Sequence, residues 1–282
     1  MMRMLAAFSG VRNFAVSLFL LMACASSAFA GHVQTELLTS VSSIELGKPF
    51  WLGVRLTIDS GWHIYWENAG DAGLPTRVKF TLPDGFSAGP VLYPTPSRFL
   101  APGNITMFGY ENSVMLMTKI TPPANLSADF QGEFKAAVHW LVCSDVCILG
   151  NSNVSLSLGA SGKVSPVNQN VFDDWLAQIP QSAAGNAKVM RVDSNDSGKE
   201  SIKVVWSHPA PLAVDFFPEA MDDYNITSIG VTSSQDTTSI TFTPQLLAGR
   251  HPGATTLNAV LGYNDKEGNR RGLILSVALA AP

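Results

Sequence analysis

The sequence predicts an all-β protein of two β-sandwich domains joined by one short helix. Three observations carry that prediction. Short runs of alternating or β-rich residues recur through both halves, separated by Gly, Pro, Asn or Asp. Turn-forming residues are abundant, with 23 Gly and 17 Pro in 282 residues. One stretch alone, SPVNQNVFDDWLAQIP at 165–180, replaces the two-residue period with apolar residues at helical spacing. The length is comfortable for two cores of ordinary size.

Residues 1–30 read as an export signal. Arg3 and Arg12 precede the apolar stretch FAVSLFLLMA, and small residues then lead to Ala28-Phe29-Ala30, an A-x-A cleavage pattern. Cleavage after Ala30 is the expected processing. The run Leu21-Met22-Ala23-Cys24 resembles a bacterial lipobox and offers a minor rival route, lipid anchoring through Cys24. The apolar run is short for a membrane span and no later run reaches about 18 apolar residues, so the mature chain is expected to carry no transmembrane segment. Hydrophobic content of 46% with 14% charged residues fits a globular chain. A net charge of −4 leaves no basic footprint for nucleic acid.

The first domain is placed at 31–163. VQTELLTS, ELGKPFWLGVRLTI, TRVKFTL, SVMLMTKI, EFKAAVHWLV and SNVSLSL read there as strands, a spacing that suggests a sandwich. A helical linker follows at 164–186. Phe172, Trp175, Leu176 and Ile179 form its apolar stripe, Asn170 is the expected cap, and Pro180 stops it. At 187–282, AKVMRVDS, SIKVVWSH, LAVDFFP, ITSIGVTSS, TSITFTP, TTLNAVLGYND and RGLILSVALA read as the strands of a second β-sandwich. No sequence repeat relates the two halves.

Removal of the signal takes Cys24 with it and leaves two cysteines, Cys143 and Cys147 in HWLVCSDVCILG. Four residues of extended strand separate Cα atoms by roughly 13 Å, whereas a disulfide tolerates about 4.4–6.8 Å. If they bond, the chain turns between them. As a staple such a bond is poor: on the chain-entropy account a loop of about five residues contributes about 2 kcal/mol, against about 4.7 for a loop of about 100. Redox exchange needs two sulfurs that are close yet reachable, and a turn at the end of a strand supplies that. The spacing is not a C-x-x-C at a helix N-terminus, so no lowering of the thiol pKa by that route is expected, and Asp145 would oppose a nearby thiolate. A metal site is the third reading. His139 shares strand parity with Cys143, and Met107, Met115 and Met117 lie upstream, a soft set for Cu(I). Against it, His139 stands about 13 Å from Cys143 along a strand. On spacing alone all three readings stay open.

The runs GWHIYWENAGDAGLPTRVKFTLPDGF (61–86), VLYPTPSRF, MFGYENSVML and HWLVCSDVCILG resemble the N-terminal periplasmic domain of the DsbD and ScsB thiol:disulfide interchange proteins, in particular the ScsB-like branch. The resemblance covers 33–160, and the helix and second β-domain look like the continuation found in that branch. It implies an immunoglobulin-like fold and a redox-active pair, Cys143 and Cys147, in a thiol:disulfide oxidoreductase of the protein-disulfide reductase type. Either cysteine is a candidate for the one that attacks first. The implied partners are a membrane-embedded electron donor of the DsbD or CcdA kind and periplasmic thioredoxin-like or disulfide-containing proteins; no bound cofactor and no metal is implied.

Family members shield the pair with an aromatic cap loop, which points to Phe108 and Tyr110 in MFGYENS. Trp62, Tyr65 and Trp66 are read as core filling, His63 as a packed histidine, and Glu67 and Asp71 as turn residues. The relatives continue into a multi-span membrane domain and a thioredoxin-like domain that this sequence does not carry, so the electron donor is expected to be a separate protein. The alternative function is a non-catalytic periplasmic module binding copper or a protein partner through a structural or metal-binding cysteine pair.

Overall fold

The computed structural model describes residues 27–160, 163–183, 185, 187–192, 199–207, 211–250 and 255–279. The expected signal up to Ser26, including Cys24, lies outside them. The first half contains β1 (Ser27–Ala30), β2 (Val33–Thr39), β3 (Phe50–Ile58), β4 (His63–Gly70), β5 (Arg77–Thr81) and β6 (Ser87–Ala88). It continues with β7 (Ser97–Ala101), β8 (Ile105–Glu111), β9 (Ser113–Thr121), β10 (Gln131–Cys143) and β11 (Cys147–Gly159). One sheet has the order β1-β2-β3-β9-β6 and the other β11-β10-β4-β8-β7, with β5 also pairing β10. Ser27–Ala30, expected at the end of the export signal, pairs antiparallel with β2, so cleavage after Ala30 would remove that strand.

Alternation explains why these strands face each other. Phe50, Leu52, Val54, Leu56 and Ile58 of β3 point inward, against Phe134, Val138, Trp140 and Val142 of β10 and Ile64 and Trp66 of β4. β9 is buried on both faces: Val114, Leu116 and Ile120 enter the core, while Met115 and Met117 lie beneath the helix α1 (Gln169–Leu176). This double burial is why SVMLMTKI reads as a nearly continuous apolar run. The stripe Phe172, Trp175, Leu176 and Ile179 packs there as expected. The cap is not Asn170. Asn168 occupies that position in a left-handed conformation (φ 52°), and its side chain donates to Thr39 O (3.1 Å) instead of capping the helix.

The second half contains β12 (Gln181–Ser182), β13 (Ala187–Val192), β14 (Glu200–Trp206) and β15 (Leu212–Pro218), then β16 (Tyr224–Ser233), β17 (Thr237–Leu246), β18 (Thr255–Asn264) and β19 (Arg270–Leu279). Its sheets run β12-β19-β18-β15 and β13-β14-β17-β16 around Ile202, Val204, Phe216, Phe242, Leu261 and Leu275. The architecture is all-β with a single helix among the described residues, as the sequence predicts. No helix among them is long and apolar enough to cross a membrane.

The two sandwiches share a sealed seam. Phe217 of β15 is fully buried within the first core, edge-on to Phe108 (5.1 Å) and Trp66 (6.2 Å). Around it, Asn68 donates to Pro218 O (2.8 Å), and Arg270 donates to Pro96 O from Nε (3.1 Å) and Nη2 (2.8 Å). These contacts fall on β4, on β8 and on the residues leading into β7. Those are the strands beside the cysteines.

Candidate functional site

Strands β10 and β11 form one long hairpin, in register from Gln131↔Gly159 to Cys143↔Cys147. Ser144, Asp145 and Val146 make the turn, closed by a Ser144 N–H to Val146 O bond of 3.0 Å. The turn brings the two Cα atoms to 4.2 Å, and the sulfurs are bonded. The disulfide thus sits at the tip of a hairpin, across the last rung of the ladder.

The two sulfurs belong to different surroundings. Cys147 is exposed, whereas Cys143 retains 2% of its accessible surface. Cys143 packs with Tyr65 and Ala69, against Leu141 and Met107. The Tyr65 hydroxyl donates to Cys143 Sγ at 3.1 Å and also contacts Met107 Sδ at 3.6 Å.

Strand parity places these residues. Cys143 pairs with His63, and Tyr65 pairs with Gly109, so His63, Tyr65 and Cys143 share the outer face of their sheet. Ile64, Trp66 and Val142 take the inner face. Two glycines permit this packing. A Cβ on Gly109 would lie 2.0 Å from Ile64 O, and one on Gly73 (φ 112°) would lie 2.2 Å from the Tyr65 ring. The loop carrying Gly73 therefore lies flat against Tyr65.

His63 stacks on Phe99 at 5.0 Å and meets Tyr65 edge-on at 5.3 Å. Burial pushes its pKa below the usual imidazole value, with the Glu111 charge opposing that shift. Because the neutral ring is favoured in the fold, its contribution to stability is complete above pH 6.5 and is lost as pH falls below that value. The melting temperature is expected to decline as pH falls below 6.5, and His63→Phe should flatten that part of the curve; thermal unfolding of both chains over falling pH checks it. Burial likewise raises the Tyr65 phenol, which keeps its proton where thiols exchange.

The structure gathers only some of the residues singled out by sequence. Phe108 and Tyr110 do not cover the sulfurs: they point into the core, on the face opposite Cys143. Tyr110 donates to Pro94 O (2.7 Å), and Phe108 packs on Phe217. The side chains over Cys143 are Tyr65, Met107 and Leu141. Met115 and Met117 lie in the other sheet under α1, away from the cysteines, so the imagined soft-ligand set is not assembled. Among the described residues no group of three or more His, Cys, Asp or Glu side chains converges on a metal-sized site. Asp71 serves the backbone, its carboxylate accepting from Thr106 N–H at 2.8 Å. Glu67 lies half-buried beside the seam, its carboxyl pushed up by burial and by Glu219, against the pull of Arg77.

Tyr65 is buried, as the core-filling reading expects, but its place against Cys143 is what sequence reasoning missed. The signal that could have placed it was its parity with His63, opposite to that of Ile64 and Trp66.

Comparison with known proteins adds two findings. Residues 34–158, a span holding both cysteines and Tyr65, match the family described as thiol:disulfide interchange protein DsbD, N-terminal. The crystal structure of the N-terminal periplasmic domain of ScsB from Proteus mirabilis aligns with a TM-score of 0.65 at 16% identity, over 89% of this chain and 95% of that one. At that identity the likeness speaks for the fold, and it extends over both sandwiches. A comparison with curated protein sequences gives no match.

Proposed function

We propose that this chain, whose residues 34–158 match the DsbD N-terminal domain family of thiol:disulfide interchange proteins, exchanges disulfides with protein partners through Cys143 and Cys147. The observation that carries the proposal is the asymmetry of the pair, one sulfur exposed and the other buried. A structural staple has no use for that arrangement. The hairpin is already held by two thirteen-residue strands in register, and closing a loop of about five residues adds only about 2 kcal/mol.

Exchange runs by attack of a thiolate on a disulfide sulfur, and access decides which sulfur is attacked. A partner thiolate reaches Cys147 Sγ; its sulfur bonds there, the Cys143–Cys147 bond breaks, and its electron pair leaves on Cys143. A second partner thiol then displaces Cys147 from the mixed disulfide. The partner ends as a disulfide and this chain as a dithiol, which can reduce another disulfide by the same steps reversed. The setting that fits is the periplasm, reached by the export signal. There the reading assigns a membrane-embedded donor of the DsbD or CcdA kind and acceptors that are thioredoxin-like or disulfide-containing proteins.

The test is the reduction potential, measured by thiol trapping across a glutathione series. A single two-electron transition above about −300 mV is expected. A pair that stays oxidised throughout that range would mark the bond as structural.

A further inference from the structure

We propose that Tyr65 is a catalytic residue of this exchange, its hydroxyl stabilising the negative charge that collects on Cys143 Sγ as the disulfide opens. The proposal rests on the exchange reading above and adds to it a residue touching the leaving sulfur.

The hydrogen-bond partners of the hydroxyl carry the argument. Tyr65 is 2% exposed, so its hydroxyl depends on acceptors within the protein. Both acceptors it finds are sulfurs, Cys143 Sγ at 3.1 Å and Met107 Sδ at 3.6 Å. A thioether is a weak acceptor, and a disulfide sulfur is uncharged. In the oxidised protein, therefore, this buried donor is poorly satisfied. Once Cys143 becomes a thiolate the same contact turns into a charge-assisted hydrogen bond, roughly twice as strong as a neutral one. An interaction that strengthens as the bond breaks lowers the barrier rather than merely stabilising the starting state.

The donor is also held in place beforehand. Gly73 lies against one part of the ring, His63 meets it edge-on, and Gly109 stands opposite it in the ladder. No side chain has to reorganise when charge appears. The phenol keeps its proton, since burial disfavours its ionised form.

In the step itself, the partner thiolate forms a bond to Cys147 Sγ and the electron pair of the broken S–S bond moves to Cys143 Sγ. Tyr65 donates a hydrogen bond to that sulfur without transferring its proton. The Cys143 thiolate takes up a proton from solvent when the partner's second thiol completes its own disulfide. Two electrons pass from a dithiol partner to the pair.

Tyr65→Phe tests this, because it removes the hydroxyl and leaves the ring. Two readouts are needed. The oxidised variant should be reduced by dithiothreitol about tenfold more slowly than the parent chain. In a Cys147→Ser background, titration followed by the Cys143 Cβ chemical shift should show the thiol pKa raised by about one unit in Tyr65→Phe. A tenfold slowing without a pKa shift would reduce Tyr65 to a packing role and overturn the proposal. Unchanged rate and unchanged titration would overturn it as well, while leaving disulfide exchange standing. If the parent chain itself resists dithiothreitol, the exchange reading fails and the role of Tyr65 falls with it.

Discussion

Cys143→Ser is expected to accumulate as a stable mixed disulfide when mixed with glutathione disulfide, and Cys147→Ser is expected to form about tenfold less or lower still. Both variants lose two-electron exchange completely, since each lacks one of the two sulfurs. What separates them is which sulfur remains. Cys143→Ser leaves the exposed thiol of Cys147, free to react and with no neighbour to resolve the product. Cys147→Ser leaves a thiol buried among Tyr65, Ala69, Met107 and Leu141.

Stability cannot produce that difference. Losing the bond costs the same loop-closure contribution in both variants, about 2 kcal/mol for a loop of about five residues. Intact-mass spectrometry after a fixed incubation counts the glutathione adduct on each chain. Equal adduct formation, or more on Cys147→Ser, would show that Cys143 is the reachable sulfur and would reverse the order of attack.

The parts of this site that sequence reveals are those set by local constraint. Two cysteines four apart cannot bridge an extended chain, so a bond between them demands the turn at Ser144–Val146, and that much is legible in the residue spacing alone. The helix is legible because Phe172, Trp175, Leu176 and Ile179 repeat at its period, although the expected cap falls two residues late. Asn168 enters through a left-handed turn and spends its side chain on Thr39, a long-range partner that no local rule supplies.

Sequence reading misses β1, β4, β6, β7, β8 and β12, and of these β4, β7 and β8 build the walls of the site. β4 runs HIYWENAG, with Ile64, Tyr65 and Trp66 all buried because both of its faces are covered there. Alternation vanishes under such conditions. A register shift between Tyr65 and Gly70 then hides its far end among Asn and Gly. β8 carries Phe-Gly-Tyr, which reads as a loop, yet its glycine is required where the strand meets the backbone of Ile64. Sequence consequently assigns Phe108 and Tyr110 to a cap, and Tyr65 to the core. Burial alone does not distinguish the two faces of a sheet; parity does.

Phe217→Ala is expected to destabilise the chain by about 3–5 kcal/mol, the usual cost of emptying a large aromatic site. The position is unusual in where that cost falls. Phe217 belongs by sequence to the second sandwich but is fully buried in the core of the first, against Trp66 and Phe108, with the Arg270 guanidinium 5.6 Å from its ring centre. Arg270 in turn holds Pro96 O, and Asn68 holds Pro218 O. A cavity here would loosen the seam as well as a core. In differential scanning calorimetry the parent chain is expected to melt in one transition and Phe217→Ala in two, the second sandwich separating from the first. The seam presses on β4 and β8 from the inner face, and the outer face of those strands carries Tyr65 and Met107 against Cys143. Two transitions in the parent chain would mean that the sandwiches unfold independently, and that the packing behind the disulfide is set by the first sandwich alone.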